Sequence, residues 1–486
     1  MGKQYTKTID IFSRLMATDP RDKDKRKFYH SKHFDAFTYP HKLVPRFELV
    51  DKAGNIATGI PFRFEYGKDD TGVSTVWVAV KRTSDGRTVI SKYNPTSGLW
   101  EFPDASLFGS GYSTDLNIFK KYNDGTDDYL YLADASRYIK RVKMDESEAV
   151  QDTYFDLTSY TNSAQPVHCK KDDNLYFFFD NKVYKKDGTG APSLALTLPP
   201  NGHILNACEY GDFIAIAFRY DDDIKSTVFF WDRNDADTTL SRRFEFPSSY
   251  VFHIAVLGGR LMTVDTDYVK TYVRRYNGAE FDKLNELDIR RTNANTLITS
   301  GISQYDMIYD NKLYFPLDYN TEANNTRLGI WAIDNTGRMT LDQEVSGATS
   351  YRGLFNALGN FWVCHSGTKT AKSGITFSTT VSSIYETLFE GEVKQNKKLV
   401  SVGVMHEPLP TAGIVTLKYR LKETDTWTTI YTHTTDDSRY HDTINIESDG
   451  SELPEYREIM FRAESLGGAV VTGIKYKYEE IDDNIG

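Results

Sequence analysis

A chain of 486 residues is longer than one hydrophobic core usually serves, so several domains or one large repeat array are expected. Its 32 tyrosines and 28 phenylalanines, with few Ala- or Leu-rich runs, favour pleated sheet over helix and point to an all-β protein. The formal charge of −10 repels nucleic acid over the bulk of the surface, and no run approaches the ~18 continuous apolar residues of a membrane span.

Residues 1–58 read as an N-terminal arm and lead-in strand. Met1-Gly2-Lys3-Gln4-Tyr5-Thr6 lacks the apolar stretch of a secretory signal, and its fit to the loose myristoylation pattern is read as chance. From Asp19 to His33, Lys23, Lys25, Arg26 and Lys27 mix with Asp19, Asp22 and Asp24, which predicts a solvated, partly flexible segment. Phe34, Phe37, Leu43, Val44, Phe47 and Leu49 then suggest an extended, partly buried stretch.

Residues 59–390 carry a degenerate repeat. A polar turn running into an aromatic strand appears as Tyr309-Asp310-Asn311-Lys312-Leu313-Tyr314-Phe315 and returns as Asp172-Asp173-Asn174-Leu175-Tyr176-Phe177. Looser copies are Asp127-Asp128-Tyr129-Leu130-Tyr131, Tyr210-Gly211-Asp212-Phe213, Leu257-Gly258-Gly259-Arg260-Leu261 and Leu358-Gly359-Asn360-Phe361-Trp362. A preceding strand is readable seven times, beginning near Gly59, Asp115, Gln165, His203, Phe252, Ser303 and Arg352. Third strands ending in Asn or Asp follow, as in Val89 to Asn94 and Gly329 to Asp334, and outer strands near Leu240 and Arg338 complete some units. Four strands every 40 to 55 residues or so is the spacing of β-propeller blades, so about seven blades are expected. The closing device is expected to be a strand near Phe47-Glu48-Leu49-Val50, added to a blade built from residues near 350 to 380.

Residues 391–486 change pattern. Val415, Leu417 and Tyr419 alternate with Thr416, Lys418 and Arg420, the mark of half-buried antiparallel strands, and five or six such strands predict a small β-sandwich.

No catalytic, cofactor-binding or metal site is assigned. Metalloprotease, nucleophile-elbow, Walker and dinucleotide motifs are absent. Cys169, Cys208 and Cys364 lack zinc or disulfide spacing and are read as buried or inert thiols. Asp221-Asp222-Asp223 reads as a solvated turn, His30 and His33 as residues of the polar arm, and Ser84 to Thr88 as an ordinary hairpin rather than half an Asp-box. The recurring Tyr and Phe residues are read as blade packing rather than sugar platforms.

The order of parts resembles the virion structural proteins of tailed bacteriophages, in particular the propeller-containing tail hub or nozzle proteins of short-tailed phages, the packaged-DNA stabilisation proteins. The resemblance lies in the arm with Phe34-Asp35-Ala36-Phe37-Thr38 and Pro40-His41-Lys42-Leu43, the weak Leu-Tyr-Phe blades, and the bridge Tyr385-Glu386-Thr387. It extends to the terminal stretch holding Glu407-Pro408-Leu409-Pro410 and Trp427-Thr428-Thr429-Ile430-Tyr431. It implies a non-enzymatic homo-oligomer in the virion tail, assembled in the host cytoplasm. Its partners would be portal, adaptor and fibre or needle proteins, with genomic DNA only in transit and no cofactor. The alternative reading is a glycan-binding or glycan-degrading propeller with an accessory sandwich.

Overall fold

The computed structural model describes the chain apart from residues 1–3, 13–14, 18–20, 23–26, 36, 53–58, 83–86, 103–111, 114–117, 134–137, 149–150, 235–239, 241, 248, 268–269, 289–306, 321–325, 345–350, 366–368, 393–394, 435–450 and 482–486. The fold is all-β, and the chain divides into two compact units. One comprises 50–328 and 345–373; the other gathers 1–49, 329–344 and 374–486. This division follows tertiary contacts and cuts across the sequence segments 1–58, 59–390 and 391–486.

The first unit is a β-propeller. Five blades are antiparallel meanders: Gly59–Lys68 to Leu99–Glu101, Phe119–Asn123 to Gln151–Asp156, Ser163–Cys169 to Ser193–Thr197, Gly202–Tyr210 to Arg242–Pro247, and Tyr250–Leu257 to Phe281–Asp288. A sixth begins with the hairpin Met307–Tyr309 and Lys312–Asn320. The seventh is the sheet Tyr351–Ala357, Asn360–His365, Lys369–Phe377 and, as its outer strand, Phe47–Lys52. The seven first strands follow one another round a ring, and Tyr351–Ala357 lies against Gly59–Lys68 to close it.

Local chemistry explains the hairpins. Asp310 and Asn311 take φ of 47° and 54°, and Gly258 and Gly259 take 55° and 74°. Left-handed backbone at both central residues matches the twist of the flanking strands. The strands after these turns are apolar without alternation because each blade is covered on both faces: Asn174–Phe179 is buried at all six positions. The first strand of the second blade starts later than the sequence suggests, running from Phe119 to Asn123. Lys120 and Lys121 broke its apolar pattern. The expected residues 115–117 and 303–306 lie outside the described residues.

Among the described residues, and beside the short strand pairs Leu15–Met16 with Lys27–Phe28 and Phe34–Asp35 with Val44–Pro45, the second unit holds two larger sheets. One has the order Gln4–Ile9, Val471–Glu480, Lys397–His406, Glu455–Tyr456. In the other, Met339–Gln343 pairs with residues 330–333 on one side and His30–Lys32 on the other; Ser383–Glu386, Glu458–Leu466, Ile414–Arg420 and Thr428–His433 follow. The sheets face one another through Phe461 and Tyr476, whose ring centroids are 5.0 Å apart, and Tyr431 accepts the Val404 amide at 2.8 Å. The sandwich therefore includes strands from the arm and from residues 329–344 as well as the C-terminal segment.

The arm corrects the expectation of a solvated segment. Lys27–Phe28 and His30–Lys32 are strands, with Phe28, Ser31 and His33 buried, while Phe34–Asp35, expected to be extended and partly buried, is a short buried strand. Lys27 and Lys32 sit at the half-exposed positions, so the charge-rich composition concealed a period-two alternation. Phe12 and Phe28 both pack on Tyr385, at 5.1 and 5.5 Å. Asp19 and the run from Lys23 to Arg26 lie outside the described residues.

Ring closure rests on an aromatic cluster between the first and seventh blades. Trp362 is fully buried against Phe64, Tyr93 and Trp100, with centroids 6.0, 4.8 and 5.7 Å away. Its indole N–H donates to the Ala357 carbonyl at 3.0 Å, and Trp100 donates to Thr370 Oγ1 at 2.6 Å. Emptying this site by Trp362→Ala is expected to cost about 3–5 kcal/mol in urea unfolding. Leu194→Ala, at a position 53% exposed, is expected to stay within about 0.5 kcal/mol. Equal effects of the two would contradict the closure account.

Candidate functional site

The candidate site is the propeller's central channel and the wider mouth at one end of it. All seven first strands line the channel, through Arg63 to Glu65, Phe119 and Lys120, Gln165 and Pro166, Asn206 to Cys208, Ile254 to Val256, Met307 and Ile308, and Gly353 to Phe355. The cavity they line, open to solvent, has a volume of about 320 Å³. The lining surface is about equally polar and apolar, and Lys120 Nζ donates to Glu65 Oε1 at 2.9 Å, so these two lining charges neutralise one another.

The mouth is a cavity of about 600 Å³ over the first four blades, lined chiefly by the first strands Phe119–Asn123, Ser163–Cys169 and Gly202–Tyr210. Its wall carries Tyr122 and His168, whose rings meet edge to face at 5.4 Å. Tyr122 donates to the Asp173 carbonyl at 2.7 Å and His168 Nε2 lies 2.7 Å from Asp173 Oδ1. Burial raises the Tyr122 hydroxyl above its ordinary pKa, which keeps it a neutral donor.

Glu209 ties the third blade to the fourth. Its carboxylate accepts the Cys169 thiol at 3.0 Å and the backbone amides of Lys170 and Lys171 at 3.1 and 3.3 Å. Burial opposes its charge, but these donors together with Arg233 outweigh burial and hold it below the usual glutamate range. Arg233 Nη1 donates to Cys169 Sγ at 2.9 Å, and its Nε lies 3.1 Å from Asp172 Oδ2. Burial, then the bond to Glu209, pushes the Cys169 thiol up to about 12. A thiol so held is a structural donor and a poor nucleophile.

Behind Tyr122 lies Lys186, fully buried. Its ammonium sits 5.5, 5.8 and 5.6 Å from the ring centroids of Tyr122, Tyr131 and Tyr154 and donates to the carbonyls of Gly188 and Gly190. Burial, then repulsion from Arg141, lowers its pKa to about 8. This cage joins the second blade to the third, and its aromatics face a cation that belongs to the protein itself.

Cys364 is fully buried and its thiol pKa is pushed well above the ordinary value by burial, while Cys208, half-buried, lines channel and mouth. Asp221, Asp222 and Asp223 are exposed in a bend, with Asp221 Oδ1 2.8 Å from His203 Nδ1. Ser84, Asp85 and Gly86 lie outside the described residues. Among the described residues no three His, Cys, Asp or Glu side chains gather as metal ligands. The sequence did not reveal the Glu209–Cys169–Arg233 contacts or the Lys186 cage, because their partners lie 32 to 64 positions apart.

No family model and no curated protein matches the chain. Among solved structures it is similar to a catalytically inactive virginiamycin B lyase from Staphylococcus aureus with quinupristin: 13% identity, 67% of this chain and 98% of that chain, TM-score 0.44. It is also similar to the computationally designed Ika8 protein, at 11% identity, 68% of this chain, 100% of that chain and TM-score 0.39. A third is an exo-β-1,3-galactanase from Phanerochaete chrysosporium with β-1,3-galactotriose, at 10% identity, 76% of this chain, 98% of that chain and TM-score 0.31. The propeller itself is read from strand order and the ring of first strands.

Between pH 8 and 10, folded Lys186 loses its proton while the unfolded lysine keeps it, so its burial penalty is relieved and stability rises with pH. Above about 10 the buried tyrosines act in reverse, since unfolded tyrosine ionises first. Lys186→Met is expected to remove the rise between pH 8 and 10, read as the wild-type minus variant difference in urea midpoints; a constant difference would contradict the buried-cation account.

Proposed function

We propose that this chain is a non-enzymatic structural component of a phage tail, a hub or nozzle protein that assembles as a homo-oligomer round the tail axis and joins adaptor or portal proteins to the distal tail. The observation that carries the reading is the weave of the second unit from three separate chain segments, 1–49, 329–344 and 374–486. An accessory ligand-binding module is expected as one contiguous piece that folds by itself. Here the chain passes between the units four times, which suits a part that must transmit load without its domains coming apart.

The channel dimensions refine the proposal. A cavity of about 320 Å³ holds the volume of only about ten waters. A duplex whose major groove alone is about 12 Å wide does not enter it. In this reading the DNA conduit is therefore the axis of a ring of copies, and the propeller forms part of its wall. The net charge of −10 suits a wall along which DNA passes without adhering. Host-cytoplasmic assembly and a final place in the virion belong to the same proposal.

The second reading, a glycan-binding or glycan-degrading protein, draws on the mouth cavity of about 600 Å³, a size that suits a small ligand. Electron microscopy of the purified chain, alone and mixed with the products of neighbouring genes, separates the two, together with a glycan array. Rings or tail particles containing the chain, and no glycan retained, are expected. A stable monomer that enters no particle would overturn the tail assignment, and retained glycan lost on Tyr122→Ala or His168→Ala would favour the second reading.

A further inference from the structure

Three chain segments of the second unit meet at one residue, His33. Its amide donates to the Leu341 carbonyl at 3.0 Å, and its own carbonyl accepts the Arg46 amide at 2.7 Å and the Ser383 hydroxyl at 3.1 Å. Arg46 belongs to the arm, Leu341 to the segment 329–344 and Ser383 to the segment 374–486. The preceding strand His30–Lys32 lies between Met339–Gln343, paired in parallel through Leu341 and Lys32, and Ser383–Glu386, paired antiparallel. His33 ends that strand in a left-handed conformation, φ 59°, uncommon for a residue with a side chain.

The imidazole is as confined as the backbone. His33 is 7% exposed, and among the described residues its buried Nε2 has no hydrogen-bond partner. The charged and titratable groups that face it are Lys32 and His30 on its own strand and Glu344 beyond the neighbouring one. Glu344 is ion-paired with Lys32, while Arg46 is held by Asp342 at 2.8 Å and Asp35 at 3.7 Å. A proton added to this ring gains no acceptor at Nε2 among the described residues and creates a buried charge beside Lys32 and His30, which Glu344 offsets only in part.

We propose that His33 is an acid-sensitive latch: protonation of its buried imidazole opens the junction of the three segments and frees the strand His30–Lys32 from between its two neighbouring strands. The proton is taken up only when the ring reaches water, so acid favours the open form by mass action. Burial first, then Lys32, holds the folded imidazole down to about 3 against an ordinary 6.5. The sign follows: the unfolded form binds a proton below 6.5 that the folded form refuses, so stability is lost as pH falls from 6.5 toward 3. This inference is independent of the role in a tail.

The test is amide hydrogen exchange by mass spectrometry on the full chain between pH 7 and 4, corrected for intrinsic exchange, in the wild type and in His33→Asn. Asn tolerates left-handed backbone and does not titrate. The opening constant of residues 30–32 is expected to rise with falling pH in both proteins as carboxylates protonate. In the wild type it should rise by up to about a further tenfold per pH unit between 6 and 4. Equal slopes in the two proteins would overturn the latch. Should His33→Asn not fold, the wild-type His33 resonance decides: an imidazole still neutral at pH 5 in the folded chain supports the proposal, and one that titrates near 6.5 overturns it.

Discussion

A blade whose middle strands are apolar on both faces is unstable unless something covers each face, and that requirement governs the propeller. Tyr176 and Phe178 on one face of the strand Asn174–Phe179 join the cluster shared with the fourth blade, while Leu175, Phe177 and Phe179 on the other join the second. Each blade can be satisfied only by two neighbours, so an open row leaves its ends exposed and a ring does not. At the closing point the demand is met by Trp100, Trp362, Tyr93 and Phe64. The outer edge of the last blade is covered by Phe47–Lys52, where His365 Nε2 lies 3.1 Å from Asp51 Oδ1. Because that strand is brought back from the N-terminal segment, closure couples the beginning of the chain to a blade some 300 residues later.

The same segment organises the second unit. Gln4–Ile9 extends one sheet along Val471–Glu480, and His30–Lys32 enters the other. Much of the polar chemistry of this unit serves the joins. Arg462 reaches Glu386 through Nε at 2.9 Å, fixing Ser383–Glu386 to Glu458–Leu466, and Ser31 lends its carbonyl to Thr340 Oγ1 at 3.0 Å. Paired buried charges of this kind contribute little net stability but penalise arrangements in which the partners are apart, which helps to hold the four-residue strand Ser383–Glu386 in one register.

The blades were legible because their signals are local: Asp310-Asn311 and Gly258-Gly259 mark turns, and uninterrupted aromatic strands follow at regular spacing. The closing strand near Phe47 was legible from the requirement that a ring be completed. The stretch from Lys27 to His33 was not, since its strands are two or three residues long and its buried positions include Ser31 and His33, which carry no apolar signal. The polar contacts of the site were hidden for a related reason. Glu209, Cys169 and Arg233 are unremarkable in their own neighbourhoods and become a cluster only when adjacent blades meet. Lys186 resembled any strand lysine until Tyr122, Tyr131 and Tyr154 were placed around it.

A ring closed by its own N-terminal segment makes a specific demand on the amides of 47–52: they belong to the outer strand of the last blade and should open only when that blade opens. Hydrogen exchange resolved over this stretch and over Asn360–His365 tests the claim most directly. The account predicts protection of 47–52 that is lost together with the seventh blade as urea is raised. Exchange of 47–52 at the rate of a solvated loop, while Asn360–His365 stays protected, would contradict it.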